Sequence, residues 1–189
     1  MNKSGGSKTT KNGTEFEKIT SIEPKLLEKG FIKKYIDEKL KYGYYYEFIS
    51  DKISIIYLIQ NGFKIYFKKV FDITTYKQPD EAFIIKNNDN YFLKIIEKKN
   101  QNVEGTVEDK LKTGEFNRKE YELMLINENI KFKVLYSFCI SKFLKDKFES
   151  KQQKYVNIKK IMKDDNIEIF YGSDKNYFDV VYDWIIKIL

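Results

Sequence analysis

Three charged residues near the middle of the sequence have the types and spacing needed to hold a cation. Glu97 and Lys99 close the apolar segment YFLKIIEKK, and Asp80 precedes the apolar segment AFII. Alternate residues of a strand share a face, so Glu97, Lys99 and Gln101 are expected to project from the same side. Pairing of the two segments as a hairpin would bring Asp80 beside Glu97 and Lys99. The pattern predicts two carboxylates and an ammonium group at one end of a sheet.

The proposed pair of carboxylates indicates a metal and a reaction. Two carboxylates at a strand end repel each other unless a cation lies between them, and hard oxygen ligands favour Mg²⁺, which also binds phosphate. We expect Asp80, Glu97 and the main-chain carbonyl of Lys98 to hold Mg²⁺, which would polarise a scissile phosphate and lower the pKa of a bound water. Lys99 would orient this water and offset the charge that develops on the phosphate. The residues therefore predict phosphodiester hydrolysis.

The acidic-X-Lys triplet is a weak signal by itself, because it occurs five times in this lysine-rich chain. Only Glu97/Lys99 ends an apolar strand-like segment and also follows a Pro-Asp pair, Pro79-Asp80, by the length of a hairpin. The alternative is purely structural. In that case Asp80 is a turn residue, and Glu97 and Lys99 form a solvated strand end.

The composition limits the possible chemistry and indicates a partner. The chain has no histidine, which excludes Ser-His-Asp and Cys-His catalysis and zinc sites that contain histidine. A formal net charge of +7 favours a polyanionic partner such as DNA. The single cysteine, Cys139, leaves no intrachain disulfide and favours a reducing, cytoplasmic location. No apolar segment has the length of a membrane span and no signal peptide is apparent, so we expect no membrane association.

Apolar periodicity predicts alternating strands and helices around a central sheet, in an α/β or α+β fold. Strands are predicted at 53–59, on both sides of the polar cluster 87–90, at 131–141 and at 167–171. Helices are predicted from Thr14 to a break at Pro24, over 31–40, after Gly62, over 107–126 with a break near Gly114, over 155–163 and at the end of the chain. Residues 1–13, rich in Gly, Ser, Thr, Lys and Asn, are expected to form a flexible basic arm. Residues 14–189 are expected to form one domain.

Pro79-Asp80, a hairpin and then Glu97-Lys98-Lys99 resemble the motif of the PD-(D/E)XK nuclease superfamily. Gln101 extends the likeness to an E-X-K-X-Q form. The segments GGSKTTKNGTEFE, PDEAFII and IIEKKNQNVEGTVEDKL look more particularly like those of small type II restriction endonucleases. The resemblance implies a mixed β-sheet flanked by helices and Mg²⁺-dependent, site-specific cleavage of double-stranded DNA. Cutting both strands with one centre per chain implies a homodimer.

The resemblance also implies an acidic residue on a helix before the Pro-Asp pair. Glu17 is the best match and Glu15 the second, with a role in binding a second metal or orienting its waters. A carboxylate that only stabilises the first turn of a helix explains Glu17 equally well. Glu104, after the motif, could contact a metal or help to fix its loop near DNA.

Side chains around the predicted centre could contact DNA. Phosphate contacts with strong salt dependence are expected from lysines 94, 98, 99, 110 and 112. Base edges could be contacted by Asn100, Gln101, Asn102, Lys112 and Asn117, although solvation of the surface explains these residues as well. Two alternatives to a restriction enzyme stay open. One is another nuclease of the same superfamily, such as a repair enzyme or junction resolvase, and the other is a non-catalytic DNA-binding protein.

Overall fold

A mixed seven-stranded sheet forms the centre of the protein in this computed structural model. The structure describes residues 5–102, 107–126 and 130–187, with side chains for 12–102, 108–126 and 130–187. The strands lie in the sheet in chain order. They are β1 (Ile32–Tyr35), β2 (Tyr44–Ile49), β3 (Ile53–Ile59), β4 (Glu81–Asn87), β5 (Asn90–Lys99), β6 (Phe132–Ile140) and β7 (Glu168–Tyr171).

Helices cover both faces of this sheet. They are α1 (Gly5–Ile19), α2 (Glu23–Glu28), α3 (Gln60–Phe71), α4 (Val107–Leu111), α5 (Gly114–Met124), α6 (Lys142–Phe148), α7 (Gln153–Asp164) and α8 (Tyr177–Ile186). Helices α3 to α7 contribute to one apolar core, whereas α1, α2 and α8 contribute to a second core on the opposite face. The predicted α+β fold with a central mixed sheet flanked by helices is confirmed.

The direction of the strands changes at β5. Strands β1 to β5 pair antiparallel with their neighbours, and β5, β6 and β7 pair in parallel. Parallel neighbours require a crossover, which α4 and α5 supply between β5 and β6. The beginning of β4 and the ends of β3, β5 and β6 consequently lie at the same end of the sheet.

Most predicted elements are present, but the helix predicted over residues 31–40 is wrong. Ile32–Tyr35 is an edge strand that pairs antiparallel with β2, and the chain then turns so that the Ile36 and Asp37 amides donate to the Gly43 carbonyl. All four residues of β1 are exposed. Phe31 is buried in one core and Ile36 packs against the other, so the helix-like pattern has no single buried face, and pairing with β2 decides the local structure.

The first helix begins at Gly5 rather than at the predicted Thr14, and it overlaps the segment expected to be an arm. The Asn12 carbonyl accepts a hydrogen bond from the Asn100 side chain at 2.9 Å. Residues 1–4, the beginning of that predicted arm, lie outside the described residues. The helix Lys142–Phe148 was also not predicted, because its seven residues are too few for a clear periodic pattern.

The described part of the chain contains no helix that combines the length and the apolar character required to cross a bilayer.

Candidate active site

Asp80 and Glu97 lie at adjacent strand ends. Glu81 pairs with Ile96 in the antiparallel ladder, so the same register extended by one residue places Asp80 opposite Glu97. The Asp80 Oδ2 atom accepts a hydrogen bond from the Lys98 main-chain N–H at 2.7 Å. This bond fixes the carboxylate against the end of β5. The hairpin thus brings together two acidic residues that are 17 positions apart in sequence.

Lys99 lies on the same face of β5 as Glu97. Its Nζ atom is 3.1 Å from Glu97 Oε1, and the two side chains are 21% and 20% exposed. Because both side chains are largely shielded, solvent and salt screen the attraction between the two charges less than they would at the protein surface. Two carboxylates and one ammonium group therefore meet at the edge of the buried core.

The environment of Glu97 disfavours its ionised form. Burial raises the pKa of this carboxyl first and the negative charge of Asp80 raises it further, while the Lys99 ammonium lowers it. The Glu97 Oε2 atom is buried and has no hydrogen-bond partner among the described residues. A cation between Asp80 and Glu97 would relieve their repulsion and supply this oxygen with a partner.

Glu17 reaches the same region from α1. Its Oε2 atom accepts a hydrogen bond from the Gln60 side chain at 3.2 Å. Burial raises the pKa of Glu17, the charge of Asp80 raises it further, and Lys98 and Lys99 lower it. Glu17 therefore lies within electrostatic reach of the strand-end carboxylates, whereas Glu15, the second choice, is exposed.

Gln101 lies two residues beyond the end of β5 and is buried. Its main-chain N–H donates to Ser141 Oγ at 3.2 Å, and its carbonyl accepts from the same hydroxyl at 2.8 Å. Ser141 precedes α6, so this exchange fixes the chain after the predicted motif to the end of β6. Glu104, which also follows the motif, lies outside the described residues.

The oxygen atoms at this site fit Mg²⁺ only in part. Over the described residues, no group of three or more Asp, Glu, His or Cys side chains is arranged to hold a metal. Glu17, Asp80 and Glu97 consequently do not form a cage of three carboxylates. What remains are the carboxylates of Asp80 and Glu97 and the main-chain carbonyl of Lys98, all hard oxygen donors. This set suits Mg²⁺, which binds through one or two carboxylates and keeps several waters.

Two buried tyrosines beside this site were not found from the sequence. Tyr121 on α5 and Tyr136 on β6 have ring centroids 6.4 Å apart. Burial raises the pKa of both hydroxyls, and the charge of Glu97 is the next largest cause in each case. The Tyr121 hydroxyl is buried and has no hydrogen-bond partner within the described ranges. No local sequence pattern distinguishes Tyr121 and Tyr136 from the rest of the 15 tyrosines in the chain.

Two lysines expected to contact phosphate have other roles. The Lys94 ammonium is buried and donates to the main-chain carbonyls of Trp184 and Lys187 at the end of α8. The Lys98 ammonium is also buried and binds Glu81 and the main chain of α1. Both side chains leave β5 on the face opposite Glu97 and Lys99, so the expectation for them is wrong.

Asn117, considered for contacts with bases, is engaged within the protein. Its Oδ1 atom accepts from Lys77 at 2.7 Å, and its Nδ2 atom donates to Thr113 at 3.1 Å. Lys112 is exposed and pairs with Asp109 on α4 at 2.6 Å.

Comparison with protein-family models, with curated protein sequences and with solved structures finds no match to this chain. The geometry of the site and the charge of the chain are therefore what bears on function.

Proposed function

We propose that this protein is a Mg²⁺-dependent endonuclease that hydrolyses phosphodiester bonds of double-stranded DNA. The main support is the position of Asp80 opposite Glu97, with the Lys99 ammonium 3.1 Å from Glu97 at the same strand end. The formal charge of +7 supports a polyanionic substrate.

Asp80, Glu97 and the Lys98 carbonyl are the groups that would hold the metal. When bound, Mg²⁺ supplies a Lewis acid for the phosphate and lowers the pKa of a coordinated water. Lys99, whose ammonium lies 3.1 Å from Glu97, would stabilise the negative charge that develops on a phosphate bound here and would orient a water. Glu17, which lies within electrostatic reach of Asp80, would orient a water near the metal. Burial around Glu97 strengthens each of these electrostatic interactions.

The finer proposal is a type II restriction enzyme of the PD-(D/E)XK superfamily that works as a homodimer in the cytoplasm. It relies on the resemblance of the sequence motif and on the need for two centres to cut a palindromic duplex. The single buried cysteine suits a reducing compartment. Two alternatives would give other results in the test described next. One is a repair nuclease or junction resolvase, and the other is a protein that only binds DNA.

The test is incubation of the purified protein with plasmid DNA, phage DNA and branched DNA, each with and without Mg²⁺. Discrete fragments from phage DNA that require Mg²⁺ would support the restriction enzyme. Preferential cutting of branched DNA would indicate a resolvase. Binding without cleavage of any substrate would contradict the proposal of an enzyme.

Substitutions at the site make the test specific. Lys99→Ala should slow cleavage by about 10²–10³-fold, because the charge that develops in the transition state loses its nearest ammonium group. Asp80→Ala should slow it at least as much. Lys86→Ala and Asp89→Ala are matched controls, since both residues are exposed and lie at the opposite end of the same hairpin. Wild-type rates for Lys99→Ala or Asp80→Ala would overturn the assignment of the site.

A further inference from the structure

A buried ion pair lies directly behind the candidate active site. The Lys98 Nζ atom is 3.0 Å from Glu81 Oε1, and the two side chains are 3% and 2% exposed. Lys98 and Glu81 are the sequence neighbours of Glu97 and Asp80. Because successive side chains of a strand alternate, the pair occupies the opposite face of the same two strand ends.

Each member of this pair has further contacts. Glu81 Oε1 also accepts a hydrogen bond from the Tyr57 hydroxyl at 2.8 Å and from the Ile22 main-chain N–H at 3.2 Å. The Lys98 ammonium also donates to the main-chain carbonyl of Glu17 at 3.0 Å. One carboxylate and one ammonium group therefore connect β3, β4 and β5 to the end of α1 and the residue before α2.

Lys98 contacts both sides of the site through different atoms. Its main-chain N–H binds the Asp80 carboxylate, and its side chain binds the backbone of Glu17. Lys98 thus links Asp80 to α1 directly, in addition to the packing of Phe16 in the core and the hydrogen bond from Asn100 to Asn12. Removing two charges from water is costly, and an apolar pair of similar size could stabilise the fold equally well. A role in placing α1 accounts for charged groups at these two buried positions.

We infer that Lys98 and Glu81 are positioning residues that hold α1, and with it the Glu17 carboxylate, within electrostatic reach of Asp80, so that Glu17 assists the binding of Mg²⁺ through its waters and not as a direct ligand. This inference rests on the proposed function, because it assigns a task to residues that support the same site.

The main variant is the double substitution Lys98→Met with Glu81→Gln. It removes both charges together, so no unpaired buried charge remains, and the glutamine oxygen can still accept from Tyr57 and Ile22. The main-chain atoms of Lys98 stay in place. The variant therefore removes the link to Glu17 while it leaves Asp80, Glu97 and Lys99 unchanged.

The measurements are the Mg²⁺ concentration that gives half the maximal rate of DNA cleavage and the increase in Tm that Mg²⁺ causes without DNA. We expect the double variant to require about tenfold more Mg²⁺, as is common when the support of a metal ligand is lost. Glu17→Gln should shift the requirement by a similar factor. The combined triple variant should shift it no further, because both changes act through the same carboxylate.

Lys94→Met is the matched control. Lys94 is also a buried lysine on the same face of β5, and its ammonium also binds main-chain carbonyls of a helix, here α8. It lies four residues from Lys98, about 13 Å along the strand. Its substitution should alter stability and leave the Mg²⁺ requirement unchanged.

The possible results separate this inference from the proposed function. A wild-type protein that cleaves DNA, together with a double variant that has the same Mg²⁺ requirement, would overturn the positioning role alone. A shift in the triple variant equal to the product of the separate shifts would also overturn it. A wild-type protein that does not cleave DNA would overturn the proposed function, and the Mg²⁺-dependent change in Tm would then decide the positioning role. No change in Tm with Mg²⁺ in that protein would overturn both.

Discussion

At the scale of single residues, the surroundings of Glu97 distinguish it from acidic residues of other acidic-X-Lys triplets. Glu149 belongs to such a triplet, but it is exposed and pairs with Lys145 of α6 at 3.6 Å. Glu97 instead lies between Lys99 on its own strand and Asp80 on the neighbouring strand. Burial and Asp80 raise the pKa of Glu97 in the folded protein, so its ionised form is unfavourable without a cation.

The raised pKa predicts how the stability of the metal-free protein depends on pH. The folded state holds the proton of Glu97 more tightly than the unfolded state, so the stability that this group contributes is lost as pH rises above its ordinary pKa of 4.5. Glu97→Gln should therefore increase the free energy of unfolding at pH 7, and the gain should shrink as pH falls towards 4.5. Chemical denaturation without Mg²⁺ at several pH values measures this difference.

Glu149→Gln is the control for this prediction, because Glu149 is exposed, and it should leave the pH dependence unchanged. Saturation with Mg²⁺ at about 100 times its Kd should stabilise the wild-type protein by about 2.7 kcal/mol and the Glu97→Gln variant by much less. A Glu97→Gln protein that is less stable than wild type at pH 7 without metal would contradict the proposed repulsion.

At the scale of elements, β5 carries different groups of charged side chains on its two faces. Glu97 and Lys99 point towards the face covered by α5, near Tyr121 and Tyr136. Lys94 and Lys98 point to the other face and bind main-chain carbonyls near the ends of helices α8 and α1. A carbonyl-rich helix end favours a cation, and Lys98 also pairs with the buried Glu81 carboxylate, so both ammonium groups have partners inside the core.

The buried Lys94 ammonium predicts a second pH dependence. Burial and the charge of Lys187 lower the pKa of Lys94 to about 8 from an ordinary 10.5. A depressed pKa in the folded state means that the stability contributed by this group is present at high pH and is lost as pH falls through about 8. Between pH values of about 8 and 10.5, the free energy of unfolding of the wild-type protein should increase by roughly 1–3 kcal/mol relative to that of Lys94→Met.

Denaturation of wild type and Lys94→Met between pH 7 and 10.5 measures this effect. Tyrosines also ionise in this range, but they do so in both proteins, so the difference between the two free energies of unfolding reports Lys94 alone. Lys133→Met on the neighbouring strand, at an exposed residue, should leave the pH dependence as in wild type. A constant difference between wild type and Lys94→Met over this range would mean that Lys94 titrates normally.

At the scale of the whole molecule, the fold assembles the site and the charge of the chain suits its proposed substrate. The antiparallel hairpin of β4 and β5 brings the acidic residues together, and the parallel strand β6 places Tyr136 beside them. The excess of basic residues, 35 Lys and Arg against 28 Asp and Glu, favours association with a polyanion.

This charge predicts that DNA binding is strongly sensitive to salt. Each phosphate that a lysine neutralises releases counterions, so the logarithm of the affinity should fall linearly with the logarithm of the salt concentration. With several phosphate contacts, affinity should fall by about tenfold or more between 50 and 200 mM salt. Fluorescence anisotropy with labelled duplex DNA measures this dependence, and an affinity that stays constant over the range would contradict a groove that follows the phosphate backbone.

Several features were predictable because they depend on local order. Two apolar segments on either side of the polar cluster at residues 87–90 indicated the hairpin. Its length indicated that Asp80 lies beside Glu97, and the period of two placed Lys99 on the same face. The sequence alone was also sufficient for the central sheet flanked by helices and for the absence of histidine chemistry.

Contacts between distant parts of the chain decided the rest. Lys98 and Glu17 are 81 residues apart, Lys94 and Trp184 are 90 apart, and neither contact has a local signature. The same applies to β1, whose helix-like spacing yields to pairing with β2, and to Tyr121, which becomes part of the site because α5 packs on β6. Periodicity in the sequence determines which side of a strand a residue occupies, whereas only tertiary packing determines which helix end or carboxylate lies on that side.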